Sequence, residues 1–141
     1  MKGFVAEIAN MTEENSDFRR VLYTGTNLQL VLMSLLPGED IGEEVHATHD
    51  QFFRIETGQG LVTIDGTQSK IKKDHAVIVP AGARHNIVNT GDEPMRLYTL
   101  YAPPQHRDGF VATTRALAEA SAEKFEGDRQ RMIVCSTELR R

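Results

Sequence analysis

Glu44, His46, Gln51 and His85 are the residues whose types and spacing could hold a metal ion. On a β-strand successive side chains point to opposite faces, so Glu44 and His46, two apart, share one face and can chelate the same ion while Val45 faces away. Gln51 opens the run Gln51-Phe52-Phe53-Arg54-Ile55-Glu56, in which Gln51, Phe53 and Ile55 share a face and Arg54 and Glu56 share the other. The metal-capable amide therefore stands on the apolar side, and Arg54 and Glu56 read as a subunit contact or a solvated pair, with solvation the default. His85 follows the turn Pro80-Ala81-Gly82 and is in step with Ile87 and Asn89, again a polar head above an apolar position. Imidazole nitrogen with carboxylate and amide oxygen is a mixed set that suits Zn, Mn, Fe, Ni or Cu rather than a thiolate metal. Its single carboxylate would leave a divalent ion positively charged, able to polarise a carbonyl or acidify water.

Three more residues could move a proton beside such an ion: His106, just after the last strong strand, and Tyr98 and Tyr101 on that strand. The tyrosines are three apart and so face opposite ways, which leaves one of them to line a pocket or to serve as core. His49, three positions from His46, faces away on a regular strand. His75, beside Lys73 and Asp74, reads as a surface turn residue.

The elements that must position these groups are short strands punctuated by Gly and Pro. Phe4-Val5 and Val21 to Tyr23 read as edge strands, and Thr12 to Asp17 as a loop. Asn27 to Leu36 is the first firm strand, ended by Pro37-Gly38. Gly58-Gln59-Gly60 turns into Leu61 to Ile64, and Asp65-Gly66 is a hairpin signal leading to Gln68 to Ile71. Ala76 to Val79 and Arg96 to Tyr101 are strands stopped by proline. Such a series describes a β-sandwich or barrel. The period changes only after Gly109, where Thr113-Thr114 supply N-cap candidates for an alanine-rich helix running to about Glu126 and ended by Gly127. The expected organisation is one domain: an N-terminal edge segment (1–26), a barrel (27–104), and a C-terminal loop, helix and tail (105–141). Met132 to Cys135 in that tail could be an edge strand or a frayed terminus.

The spacing resembles the two signature motifs of the cupin superfamily. The first motif is Gly, five residues, His-x-His, four residues, Glu, six residues, Gly, and here Gly38, Glu44-Val45-His46, Gln51 and Gly58 fall on it. The second is Gly, five residues, Pro-x-Gly, two residues, His, three residues, Asn, matched by Pro80, Gly82, His85 and Asn89. Glu44 stands where the first His is usual, Gln51 where Glu is usual, and Asp74 where the second motif begins with Gly. Asp also starts turns. The carboxylate has moved while the site keeps one negative charge. The resemblance implies an all-β, double-stranded β-helix (a jelly-roll barrel) with a C-terminal α-helix, one divalent metal ion (Zn, Mn, Fe or Ni) on Glu44, His46, Gln51 and His85, and a homodimer.

The bulk numbers fit one domain in a reducing compartment. A chain of 141 residues buries roughly two thirds of its unfolded surface without disulfides. Cys135 has no partner within the chain, and Met1-Lys2-Gly3-Phe4 leads into no apolar signal core, so a cytoplasmic protein is expected. Leu30 to Leu36, the longest apolar run, is far short of the ~20 residues of a membrane span. A net charge of −4 with no basic block argues against a nucleic-acid partner.

Three functions remain. The first is a metal-dependent isomerase or lyase on a small polar metabolite; cupins with Gln among the ligands resemble those acting on sugar phosphates, such as mannose-6-phosphate isomerases, and those that open unsaturated uronates. The second is an Fe or Ni dioxygenase, since four protein ligands leave two octahedral positions open. The third is a non-catalytic cupin that binds a small molecule.

Overall fold

Alternation along Met95–Ala102 sets the architecture: Met95, Leu97, Thr99 and Tyr101 are buried, and the residues between them are half-buried. In a computed structural model, which describes residues 2–121 and 123, this strand lies inside an antiparallel sheet. The strands are β1 (Arg19–Thr24), β2 (Gln29–Leu35), β3 (Glu44–Val45), β4 (Asp50–Thr57), β5 (Gln59–Ile64), β6 (Thr67–Lys72), β7 (Ala76–Val79), β8 (Arg84–Asn89), β9 (Met95–Ala102) and β10 (Val111–Ala112). Two short helices flank them, α1 (Ile8–Glu14) and α2 (Arg115–Ala120).

One sheet runs β10-β1-β2-β9-β4-β7 and the other β3-β8-β5-β6. Their inward faces close on one core, with Val31, Met33, Leu35, Phe53, Ile55 and Leu97 from the first and Val62, Ile71 and Ile87 from the second. The expected jelly-roll fold with a short C-terminal helix is what the chain adopts. The strands β1 and β10, on either side of the 27–104 stretch, pair with each other and so belong to the same sheet. No described helix is long and apolar enough to cross a membrane.

The turns follow their residues. Asp65 and Gly66 both take positive φ (46° and 84°), the twist that a two-residue hairpin between β5 and β6 requires. Asp74, standing where the cupin motif has Gly, is left-handed at φ 73° and accepts a hydrogen bond from Arg54 Nη2 at 3.0 Å. Gly60 is fixed by packing, since a Cβ there would lie 2.4 Å from the Val88 carbonyl oxygen.

Four expectations are corrected. Residues 12–17 are not wholly loop: α1 occupies Ile8–Glu14 with no side-chain cap, buries Thr12, and packs on β9 and β4. At seven residues and without a cap it leaves no sequence signal of the usual kind. Phe4 and Val5 form no strand, although the Phe4 ring lies 5.6 Å from that of Tyr23. The C-terminal helix begins as expected, with Thr114 accepting from Leu117 N, but stops at Ala120. Ser121 is extended (φ −89°, ψ 137°), which turns the chain back toward the barrel. Finally, Glu56 is only 4% exposed. A register shift between Ile55 and Thr57 inserts it as an extra residue, and it packs against Arg54 Nε at 3.7 Å instead of facing water. Cys135 and the 129–141 tail lie outside the described residues.

Candidate active site

Glu44 and His85 are directly opposed across β3 and β8, and Gln51 is opposed to Tyr101 across β4 and β9. The two motif segments are tied together by main-chain bonds. Gly82, at φ 89°, donates its N–H to the His46 carbonyl at 2.8 Å, and Ala81 N donates to Asp50 Oδ1 at 2.8 Å. The Pro-Ala-Gly turn therefore sets where His85 enters relative to His46. Asn89, the last motif residue, acts from the wall: its Nδ2 donates to the Leu35 and Glu93 carbonyls and its Oδ1 accepts from Gly91 N.

His46, Gln51 and His85 are buried, and Glu44 is half-buried. The four heads stand in two pairs. His46 Nε2 lies 3.3 Å from Glu44 Oε2 without hydrogen-bond geometry, and among the described residues no other group satisfies that buried nitrogen. His85 Nε2 lies 3.2 Å from Gln51 Oε1, and the two imidazole rings are 5.5 Å apart. His85 Nδ1 faces the Ala83 carbonyl at 3.1 Å and so carries the proton. Its Nε2 lone pair is then turned on the amide oxygen of Gln51, whose Nε2 donates to Thr99 Oγ1 at 3.0 Å. Two electron-rich atoms at that separation are satisfied either by a cation between them or by turning over the amide, with the Thr99 hydroxyl then donating.

Burial opposes ionisation of Glu44, but the His46 imidazole beside it, with Arg19 and His106 farther off, outweighs burial and holds the carboxyl below the usual range. In donor chemistry the set fits a divalent ion: two imidazole nitrogens, one ionised carboxylate and one amide oxygen, with one nitrogen unpartnered. Among the described residues, however, no group of three His, Cys, Asp or Glu side chains stands in metal-holding geometry. The pairs are adjacent rather than convergent.

Beside this set is a second chain of polar groups. Tyr101 is 1% exposed, and burial pushes its hydroxyl above the ordinary range, so it is a phenol rather than a phenolate at neutral pH. His106 Nε2 lies 3.2 Å from that hydroxyl, and His106 Nδ1 lies 2.7 Å from Glu123 Oε1. Glu123 Oε2 also accepts from Arg107 N at 2.6 Å. Burial pushes His106 below its ordinary value. For Glu123 burial works upward, but the bonds from His106 and Arg107 prevail and hold it low. A carboxylate on Nδ1 fixes the proton there and leaves Nε2 to accept from Tyr101.

The loop carrying His106 is pinned by Gln29, which is fully buried. Gln29 Oε1 accepts from Gln105 N and His106 N, and its Nε2 donates to the His106 carbonyl and Thr24 Oγ1. Arg19 is the remaining charged neighbour, buried at 8% exposure. Gln29, Arg19 and Glu123 carry no motif and sit far in sequence from the residues they serve, so spacing could not reveal them. Tyr98, a candidate proton carrier, is corrected: it lies on the outer face of β9, its ring 6.3 Å from Phe52, because the register that turns Tyr101 inward turns Tyr98 out. His49 is outside the ligand pairs, its Nε2 3.0 Å from the Pro104 carbonyl. His75 is exposed and accepts from Lys72 N.

The Cupin domain family matches residues 31–101. The Bacillus subtilis protein YrkC is 45% identical over 128 residues, covering 86% of this chain and 69% of that protein. The crystal structure of BH2720 from Bacillus halodurans superposes with a TM-score of 0.84 at 46% identity, over 85% of this chain and 96% of that one. The tetracenomycin polyketide synthase protein TcmJ of Streptomyces glaucescens is 31% identical over 83 residues, 57% of this chain and 56% of its own. With half of its length matched by the family model and a cupin jelly roll around it, the chain belongs to the cupins.

Proposed function

We propose that this cupin is a metal-dependent isomerase or lyase that moves a proton next to the carbonyl of a small polar metabolite. The observation that carries the reading is the buried Nε2 of His46, without a hydrogen-bond partner among the described residues and 3.3 Å from Glu44 Oε2. Leaving a buried polar atom unpaired costs about 1–3 kcal/mol, a cost that a bound ion would remove. Glu44, His46, Gln51 and His85 would hold the ion, which when bound supplies Lewis acidity to the substrate carbonyl.

The proton work falls to this chain's own residues. Tyr101 donates its O–H to His106 Nε2 and keeps an oxygen lone pair for the substrate. When that oxygen takes a proton from the substrate, the phenolic proton passes to His106 Nε2, and the imidazolium formed rests against the Glu123 carboxylate. Gln29 holds the His106 main chain in place while this happens. Sugar phosphates and uronates are the first substrates to try. The similarity to TcmJ, named for a polyketide synthase, favours poly-ketones as a second class, since their chemistry too begins with proton removal beside a carbonyl.

Elemental analysis of protein purified without an affinity tag tests the reading, with about one Zn, Mn, Fe or Ni per chain expected. His46→Ala and His85→Ala should each lose the metal and Gln51→Ala should retain more of it, because an amide oxygen is the weaker ligand. Equal metal content in all three would place the site elsewhere. Incorporation of solvent deuterium into sugar phosphates, uronates or β-diketones then tests the reaction, while oxygen uptake without exchange would indicate a dioxygenase instead.

A further inference from the structure

Arg19 is a buried cation with no bonding partner among the described residues. It alternates with exposed Arg20 along β1 and shares the inward face with Val21. In register it is flanked by Met33 on β2 and Ala112 on β10, both core residues. Arg20, by contrast, faces out and pairs with Asp17 at 3.1 Å. Among the described residues no ion pair or hydrogen bond engages the Arg19 guanidinium, and its Nε is fully buried without a partner. The Phe18 ring centroid lies 5.3 Å from the guanidinium carbon.

The charge nevertheless reaches the site. Glu44, Tyr101, His106 and Glu123, from four separate segments, all feel it. For Tyr101 it is the strongest single charge acting on the hydroxyl. The guanidinium therefore shares the low-dielectric interior with the candidate proton carriers, balanced at a distance by Glu44 and Glu123 but bonded to neither. A planar fork of donors whose Nε has no acceptor among the described residues matches a carboxylate or phosphate.

We infer that Arg19 is the anchor for an anionic group of the substrate, so that the metabolite processed in this barrel is a carboxylate or a phosphate ester. This rests on the proposed reaction for its setting and narrows its substrate: neutral sugars and neutral ketones are excluded. Anchoring the anion at Arg19 holds the carbonyl end of the same molecule toward Tyr101 and the His46–Glu44 pair.

The test uses inorganic phosphate and pyruvate as probes, with neutral pyruvamide as control, added to the full chain. Binding is followed by calorimetry and by the Arg19 Nε–H resonance, assigned from its absence in Arg19→Lys. The expected result is binding of at least one anion, a shift of the Arg19 resonance on its addition, and about tenfold or greater weakening in Arg19→Met, the scale of a lost charge-assisted fork. Because the resonance is read in the unsubstituted protein, the test stands even if Arg19→Met folds poorly. Absence of binding by both anions, an unmoved resonance, or equal binding of pyruvamide would overturn the inference. Metal content measured on the same samples separates the two readings: anion binding without metal removes only the metal, and metal without anion binding removes only the anchor.

Discussion

Replacing Gln29 by Met should destabilise the protein far more than a volume-conserving core change normally does. The side chain is fully buried, and Met keeps its length and unbranched shape, so little packing is lost. What is lost is the amide's bonding to His106 N at 2.9 Å, to the His106 carbonyl at 2.8 Å, to Gln105 N at 3.1 Å and to Thr24 Oγ1 at 2.9 Å. The two His106 groups are buried, and orphaning a buried polar group costs about 1–3 kcal/mol; the other two are partly reached by water. A net loss of about 3–4 kcal/mol follows, a large part of the roughly 5–15 kcal/mol that such a domain has. With an unfolding entropy near 2.1 cal/mol/K per residue, the melting temperature should fall by about 10 °C. Urea unfolding followed by circular dichroism gives the difference directly, as a shifted midpoint at unchanged slope. A loss below about 1 kcal/mol would refute the reasoning, because the His106 loop would then not depend on those bonds.

Two further outcomes are expected. Gly60→Ala should cost about 1–3 kcal/mol through overpacking, since its Cβ would meet the Val88 carbonyl oxygen at 2.4 Å; thermal unfolding at wild-type stability would show that β8 yields. Stability should fall on acidification in two stages. Burial keeps His106 below its ordinary 6.5, so as pH drops below that value the unfolded chain takes up a proton that the folded chain refuses. Glu123, held low against the push of burial by His106 and Arg107, repeats this below 4.5. Both contributions are complete above pH 6.5 and are lost toward acid, and a protein that gained stability from pH 7 to pH 5 would contradict the assignment.

That Glu44, His46, Gln51 and His85 lie near one another was readable because strand parity and residue spacing are local quantities: Glu44 and His46 share a face by count alone, and Gly82 bonding to His46 shows how the two segments hold each other. Parity also showed that Tyr98 and Tyr101 must differ in facing, but which one turns inward depends on pairing Tyr101 with Gln51 across β9 and β4, a long-range register. Glu123, Gln29 and Arg19 were out of reach for the same reason. Each acts on residues distant in the chain, and a lone polar residue at the start of a strand or after a helix looks like any solvated one. The early end of α2 belongs with these: Ser121 leaves the helix where the chain turns back and Glu123 meets His106, so a tertiary contact accompanies the break in an alanine-rich run. Glu56 was misread because a bulge changes parity, and nothing in its neighbours announces one.

The strand order has a consequence for how the chain is made. β2 lies between β1, its neighbour in sequence, and β9, which is synthesised much later. On the ribosome the hairpins β1–β2 and β5–β6 can close as they emerge, but the edge of β2 and its row Val31, Met33 and Leu35 must wait for Met95–Ala102. A nascent or prematurely terminated chain therefore offers a sticky, open seam to chaperones and to its own siblings until the ninth strand arrives.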